Sequence, residues 1–259
     1  MLSIHTERIF RDILLEIMEG ELQSENLRQA LCAGNPQFSP YSAFMRLDRT
    51  AEERLNGGNI VAFLRENHVF LFTQSDCQKL INFYDSERTG FLCYQDFLQL
   101  VLPCEDMNLR VETCNRPFTR ISRHETMALD LETAMVNVLV QELHVFKELE
   151  KMTYDLERRP DYSPLAVYRC VDRHNDGKID KVNLNTFFRA NSIMLTDREL
   201  LALIRRLDTS ADQTISYDEL KDYLEDQVSF RSQQTVVSMA KGTPAARQVM
   251  HKDLQEAQS

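Results

Sequence analysis

The sequence predicts an all-α protein of two lobes, each a pair of helix–loop–helix units. Three observations point there. Only 7 Gly and 7 Pro interrupt 259 residues, which leaves long stretches able to run as helix. Four acidic twelve-residue segments begin at Asp48, Asp85, Asp172 and Asp208, each flanked by apolar residues at helical spacing. The first pair of segments also aligns with the second as an internal repeat.

The repeat is specific. The stretch from Phe38-Ser39-Pro40 to Asp48-Arg49 matches that from Tyr162-Ser163-Pro164 to Asp172-Arg173 at an offset of 124 residues. In both copies Ser is placed to cap a helix and Pro falls in the first turn, where its missing N–H does no harm. The offset holds through Asn67 and Asn191, then slips by one, so that Thr73 matches Thr196, Asp85 matches Asp208 and Tyr94 matches Tyr217. Thr73 with Asp76, and Thr196 with Glu199, read as capping boxes. The lobes so delimited are about 37–102 and 160–226.

Around the lobes, residues 1–36 read as a helical extension of two short helices. The first places Ile9, Phe10, Ile13, Leu14, Ile17 and Met18 on one face and ends near Gly20; Ser24 caps the second and Gly34 stops it. Residues 103–122 read as a polar linker. Residues 123–159 read as one long connecting helix, in which Ala128, Leu131, Met135, Val138, Val145, Leu149, Met152 and Leu156 form a seam broken by Glu142. That seam suits packing on the chain's own lobes, the simpler partner, or on another molecule. Residues 227–259 read as a polar, flexible tail, with a short docking helix around Phe230, Val236, Val237 and Met239 as the alternative.

Composition excludes several classes. The net charge of −10 argues against nucleic-acid binding, which needs a basic footprint. No apolar run approaches the roughly 18 residues of a membrane span, so no membrane insertion is expected. Six Cys without a C-x-x-C pair or a secretory leader predict reduced thiols in the cytoplasm. No Gly-rich phosphate loop, G-x-S-x-G or H-E-x-x-H motif occurs and the six His are scattered, so no catalysis is expected.

The acidic loops predict metal ligands. Oxygens at loop positions 1, 3, 5, 7, 9 and 12 suit a hard cation such as Ca2+. The last loop has the fullest set: Asp208, Ser210, Asp212 and Ser216 by side chain, Thr214 by its carbonyl, and Glu219 as a bidentate carboxylate. Its flaw is Gln213 at position 6, where the turn favours Gly. The loop from Asp85 offers Asp85, Glu87, Thr89, the Phe91 carbonyl and Asp96; it keeps Gly90 but has Cys93 at position 9 and a short carboxylate at position 12. The loop from Asp172 offers Asp172, His174, Asp176, the Lys178 carbonyl, Asp180 and Asn183; His174 displaces an oxygen, and Asn183 brings no carboxylate. Asp48–Asn59, with Glu53 at position 6, reads as a structural unit without metal. Ile179 and Ile215 at position 8 are placed for a short antiparallel contact, and Leu55 keeps that position in the first loop.

These loops and their pairing resemble the EF-hand superfamily, specifically the calmodulin-like plan of two paired-hand lobes, over about half of the chain. The phrases from Phe97 to Asp106, Asp161 to Pro164 and Leu200 to Asp208 are similar to a protist subset of tandem EF-hand proteins of cilia and the cell cortex. The resemblance implies two EF-hand-pair lobes joined by the linker and long helix, with the N-terminal extension added. It implies Ca2+, in the last loop first. The narrower resemblance implies protein partners in a cytoskeletal or ciliary assembly. Degraded loops and a seam-bearing helix favour a structural or adaptor role with at most one or two working calcium sites. The alternative is a calcium sensor that takes a target helix against Met194, Leu200, Leu203, Ile204 and Leu220, residues that serve equally as plain lobe core.

Overall fold

The computed structural model describes residues 2–122 and 125–225; the expectations for 227–259 lie outside the described residues. Among the described residues the fold is all-α, with eleven helices. They are α1 (Ile4–Gly34), α2 (Pro40–Leu47), α3 (Gly57–Glu66), α4 (Gln74–Tyr84), α5 (Tyr94–Val101), α6 (Met107–Cys114), α7 (Leu129–Glu157), α8 (Pro164–Val171), α9 (Lys181–Ala190), α10 (Asp197–Leu207) and α11 (217–225). Extended pairing among these residues is confined to two isolated antiparallel bridges, Leu55–Leu92 and Ile179–Ile215.

Local chemistry sets the helix starts. Thr73 Oγ1 accepts from the Asp76 N–H while the Asp76 carboxylate accepts from the Thr73 N–H, and Thr196 with Glu199 repeats the exchange at α10. Ser163 caps α8 by accepting from the Ala166 N–H, whereas Ser39 makes no side-chain cap. At α7 the first-turn carboxylate of Glu132 accepts from the Met127 N–H at 2.9 Å, which fixes the helix start later than the stretch from 123 that the seam suggested.

Residues 4–34 form one helix, not two. Gly20 and Ser24, which look like a stop and a cap, are both buried inside α1. At Gly20 α7 packs directly against the α1 backbone: a Cβ there would lie 2.6 Å from Val145 Cγ2. A side chain is missing because of this tertiary contact, not because the helix ends. The linker also holds more structure than its polarity suggests: Asp106 caps α6 by accepting from the Leu109 N–H, and Arg116 donates to the Cys32 and Asn35 carbonyls at the end of α1.

Helices α1 and α7 lie antiparallel as a central spine. Arg159, just past α7, donates to Thr6 Oγ1 at the start of α1, and Gly20 meets Val145 midway. Both apolar cores are built on this spine. Leu131, Met135, Val138, Leu139 and Leu143 of α7 fill the lobe of α2–α5. Phe10, Ile13, Leu14, Ile17 and Met18 of α1 fill the lobe of α8–α11. The seam of α7 therefore packs on the chain's own lobes.

The spine helices repeat as the lobes do. At an offset of 125 residues, Glu7, Phe10, Ile13, Leu14 and Met18 align with Glu132, Met135, Val138, Leu139 and Leu143. Their contacts repeat too: Asn67 Nδ2 donates to Glu132 at 2.8 Å, and its counterpart Asn191 donates to Glu7 at 3.3 Å. The repeating unit is one long helix followed by one lobe, and each unit's helix packs into the other unit's lobe.

Candidate metal loops

All four loops share one backbone course. Position 4 has positive φ in each (Ala51 56°, Arg88 55°, Asn175 54°, Ala211 59°), and so does position 6 (Glu53 58°, Gly90 81°, Gly177 80°, Gln213 65°). The cause is the first carboxylate. Asp208 accepts from the N–H groups of Asp212 and Gln213, Asp172 from those of Asp176 and Gly177, and Asp48 from those of Glu52 and Glu53. Asp85 accepts from the Gly90 N–H. One carboxylate thus pulls the chain into a tight turn, and non-glycine residues are held there by these bonds.

In the last loop the donor oxygens are present but bonded to one another. Glu219 Oε1 accepts from the N–H groups of Thr209 and Ser210 and from the Thr209 hydroxyl; Oε2 accepts from the N–H and hydroxyl of Ser216. Burial acts to raise the Glu219 pKa, yet the Ser216 and Ser210 N–H groups outweigh it and hold the group below the usual carboxylate range. Asp212 is also held low, by the Thr214 hydroxyl first and then by the Lys178 ammonium 3.2 Å from its Oδ2. Both are therefore ionised at neutral pH, as a cation requires. The donor types and their ionisation suit a hard cation, but the oxygens do not converge as they stand. Glu219 is bonded to Thr209 and Ser210, and Asp212 to Thr214 and Lys178, and both would exchange those bonds for the ion.

The other predicted ligands are either committed elsewhere or turned to solvent. Asp96 accepts from the Ser86 hydroxyl at 2.8 Å and lies 3.2 Å from Cys93 Sγ, and Thr89 Oγ1 donates to the Phe91 carbonyl; Glu87 points to solvent. Asp180 caps α9 by accepting from the Val182 and Asn183 N–H groups, Asn183 closes that capping box, and His174 is exposed. Lys178 sends its ammonium across to Asp212 of the partner loop. Among the described residues, no three His, Cys, Asp or Glu side chains converge on a point that would hold a metal ion.

A second polar site is buried at the molecule's centre. Glu142 of α7 splits its carboxylate between Arg28 of α1 (2.8 Å) and Arg206 of α10 (2.9 Å). Glu21 joins both arginines at 3.1 and 3.4 Å, and the Tyr84 hydroxyl accepts from both at 2.8 and 3.2 Å. The four charged side chains are each no more than 4% exposed. Burial would raise the Glu142 pKa, but Arg206 and Arg28 hold it at about 2. Glu142 was visible in the sequence as a break in the seam. Its partners, 114 and 64 residues away, were not.

No protein-family model matches the chain. A stretch of 68 residues is 28% identical to calmodulin-like protein 2 of Arabidopsis thaliana, covering 26% of this chain and 45% of that protein. The match thus spans less than half of that relative's length. No helix among the described residues is long and apolar enough to cross a membrane.

Proposed function

We propose that this chain is a non-catalytic, calmodulin-like EF-hand protein that serves as a structural or adaptor part of a larger assembly and takes calcium in its last loop. Asp208, Ser210, Asp212, Ser216 and Glu219 by side chain, with the Thr214 carbonyl, would hold the ion. The partner assembly that fits the narrower sequence resemblance is cytoskeletal or ciliary.

One observation carries the constitutive role: the apolar clefts of both lobes are already filled. Leu200, Leu203, Ile204 and Leu220, which a sensor would offer to a target helix, lie in one core with Phe10, Ile13 and Ile17 of α1. A target helix would have to expel α1 to reach them. Surface left for partners includes Phe70 and Leu71 between α3 and α4, 71% and 60% exposed, and Met194 at the matching place between α9 and α10, 80% exposed.

Calorimetric titration with calcium, on the intact protein and on Glu219→Gln, tests this. The expected result is one binding heat, lost in the variant, with little change in binding of a hydrophobic dye on saturation. A large calcium-induced rise in dye binding would overturn the constitutive role. No heat in millimolar calcium would remove the metal from the proposal and leave the scaffold.

A further inference from the structure

We propose that the buried cluster of Glu21, Arg28, Glu142 and Arg206, closed by Tyr84, is a latch that holds the second lobe shut on α1 and thereby limits how tightly the last loop grips calcium. The calcium clause rests on the function proposed above; the latch itself does not.

Arg206 lies in the last turn of α10, two residues before Asp208, the first ligand of the loop. Its guanidinium reaches Glu142 on α7, Glu21 on α1 and Tyr84 on α4, and rests 4.2 Å from the centre of the Phe83 ring. Arg28 ties the same two carboxylates and the same hydroxyl, and its Nε donates to the Leu100 carbonyl of α5. Arg205, also of α10, donates to Glu21 at 3.0 Å, and buried Glu25 lies 3.8 Å from Arg28, so three arginines and three glutamates together pin α10 to the spine and to the first lobe. Displacing Arg206 takes one of two arginines from the fully buried Glu142 carboxylate and one from Glu21, so movement of α10 away from the spine is opposed by buried charge as well as by apolar packing.

The other flank of the loop is held by apolar packing, with Leu220, Tyr223 and Leu224 of α11 in the second core. Tyr223 of α11 is buried beside Arg206 and meets the Phe83 ring edge-on at 5.9 Å between centroids, and among the described residues no ion pair joins α11 to the cluster. A shift of α11 relative to α10 therefore separates no ion pair of the cluster. Such a shift is what Glu219, at the start of α11, needs in order to leave Thr209 and Ser210. The loop can adjust through α11 alone while α10 stays fixed, so the lobe can take calcium without releasing α1.

The test removes the centre of the latch while keeping the charge balanced, with Glu142→Gln and Arg206→Met together, leaving Glu21 paired with Arg28 and Arg205. In chelator, hydrogen exchange of the α10 amides is expected to speed up about tenfold or more and the melting temperature to fall. In calcium, affinity is expected to rise by about tenfold, within the range of ordinary coupling between sites, and dye binding to become calcium-dependent. Stability falling while affinity rises is the signature, because a merely structural cluster would lower both. Unchanged exchange and affinity, or affinity falling together with melting temperature, would overturn the latch. If neither form binds calcium, the metal assignment fails, and exchange of α10 in chelator still decides the latch. Should the double variant not fold, Tyr84→Phe removes only the hydroxyl shared by the two arginines. It is expected to move exchange and affinity in the same directions by about threefold, and no movement in either would overturn the latch.

Discussion

At position 6 of the last loop, Gln213 sits at φ 65°, close to Gly90 and Gly177 at 81° and 80° in their own loops. The need for this turn was legible in the sequence from spacing alone, as was the misfit of Gln. The means of imposing it is the Asp208 carboxylate, which collects the Asp212 and Gln213 N–H groups. A non-glycine residue held at positive φ costs on the order of 1 kcal/mol. Gln213→Gly is therefore expected to stabilise the protein by about that amount and Gly177→Ala to destabilise it similarly, as read from the midpoint of urea unfolding. The ammonium of Lys178 on Asp212 was not legible. Its reach depends on the Ile179–Ile215 bridge that sets the two loops side by side, and the position-8 isoleucines give the pairing without the direction of a neighbouring side chain.

Among the elements, the helices that follow periodicity and capping were readable, including the boxes at Thr73 and Thr196 and the seam of α7. The misreadings fall where a tertiary contact borrows a local signal. Gly20 and Ser24 carry the chemistry of a helix end, yet α1 continues through them because Val145 of α7 occupies the space a side chain would take. Alanine normally favours a helix by about 1 kcal/mol over glycine. Here the new Cβ would lie 2.6 Å from a β-branched side chain that has little freedom to turn. Gly20→Ala is therefore expected to destabilise the protein by about 1–3 kcal/mol. Adding Val145→Ala should recover part of that loss, and comparison of the melting temperatures of the single and double variants checks it.

On the scale of the whole molecule, the central cluster makes stability depend on acid. The Glu142 carboxyl is held at about 2 in the folded protein against 4.5 for an unperturbed glutamate. Burial opposes ionisation, but Arg206 and Arg28 more than offset it. A lowered carboxylate pKa adds stability that is fully present above the unfolded value and is lost as pH falls toward the folded one. The urea midpoint is thus expected to stay level from pH 7 to about 5 and drop between about 5 and 2, by on the order of 3 kcal/mol from this group. The drop should be smaller in Glu142→Gln. Pairing across the molecule is what local reading misses: the lobe repeat was visible because its turns and caps repeat residue by residue, whereas α1 and α7 share mainly an apolar pattern.

The exchange of helices between the two units has the form of a twofold dimer whose partners are tethered. Glu7 meeting Asn191, and Glu132 meeting Asn67, are the two halves of one handshake. Separate chains would complete it only above their dissociation constant. A covalent tether instead holds such partners at an effective concentration that dilution does not change. The stretch between α5 and α7 thus replaces a concentration-dependent assembly with a concentration-independent fold, and both lobes stay filled however scarce the protein becomes.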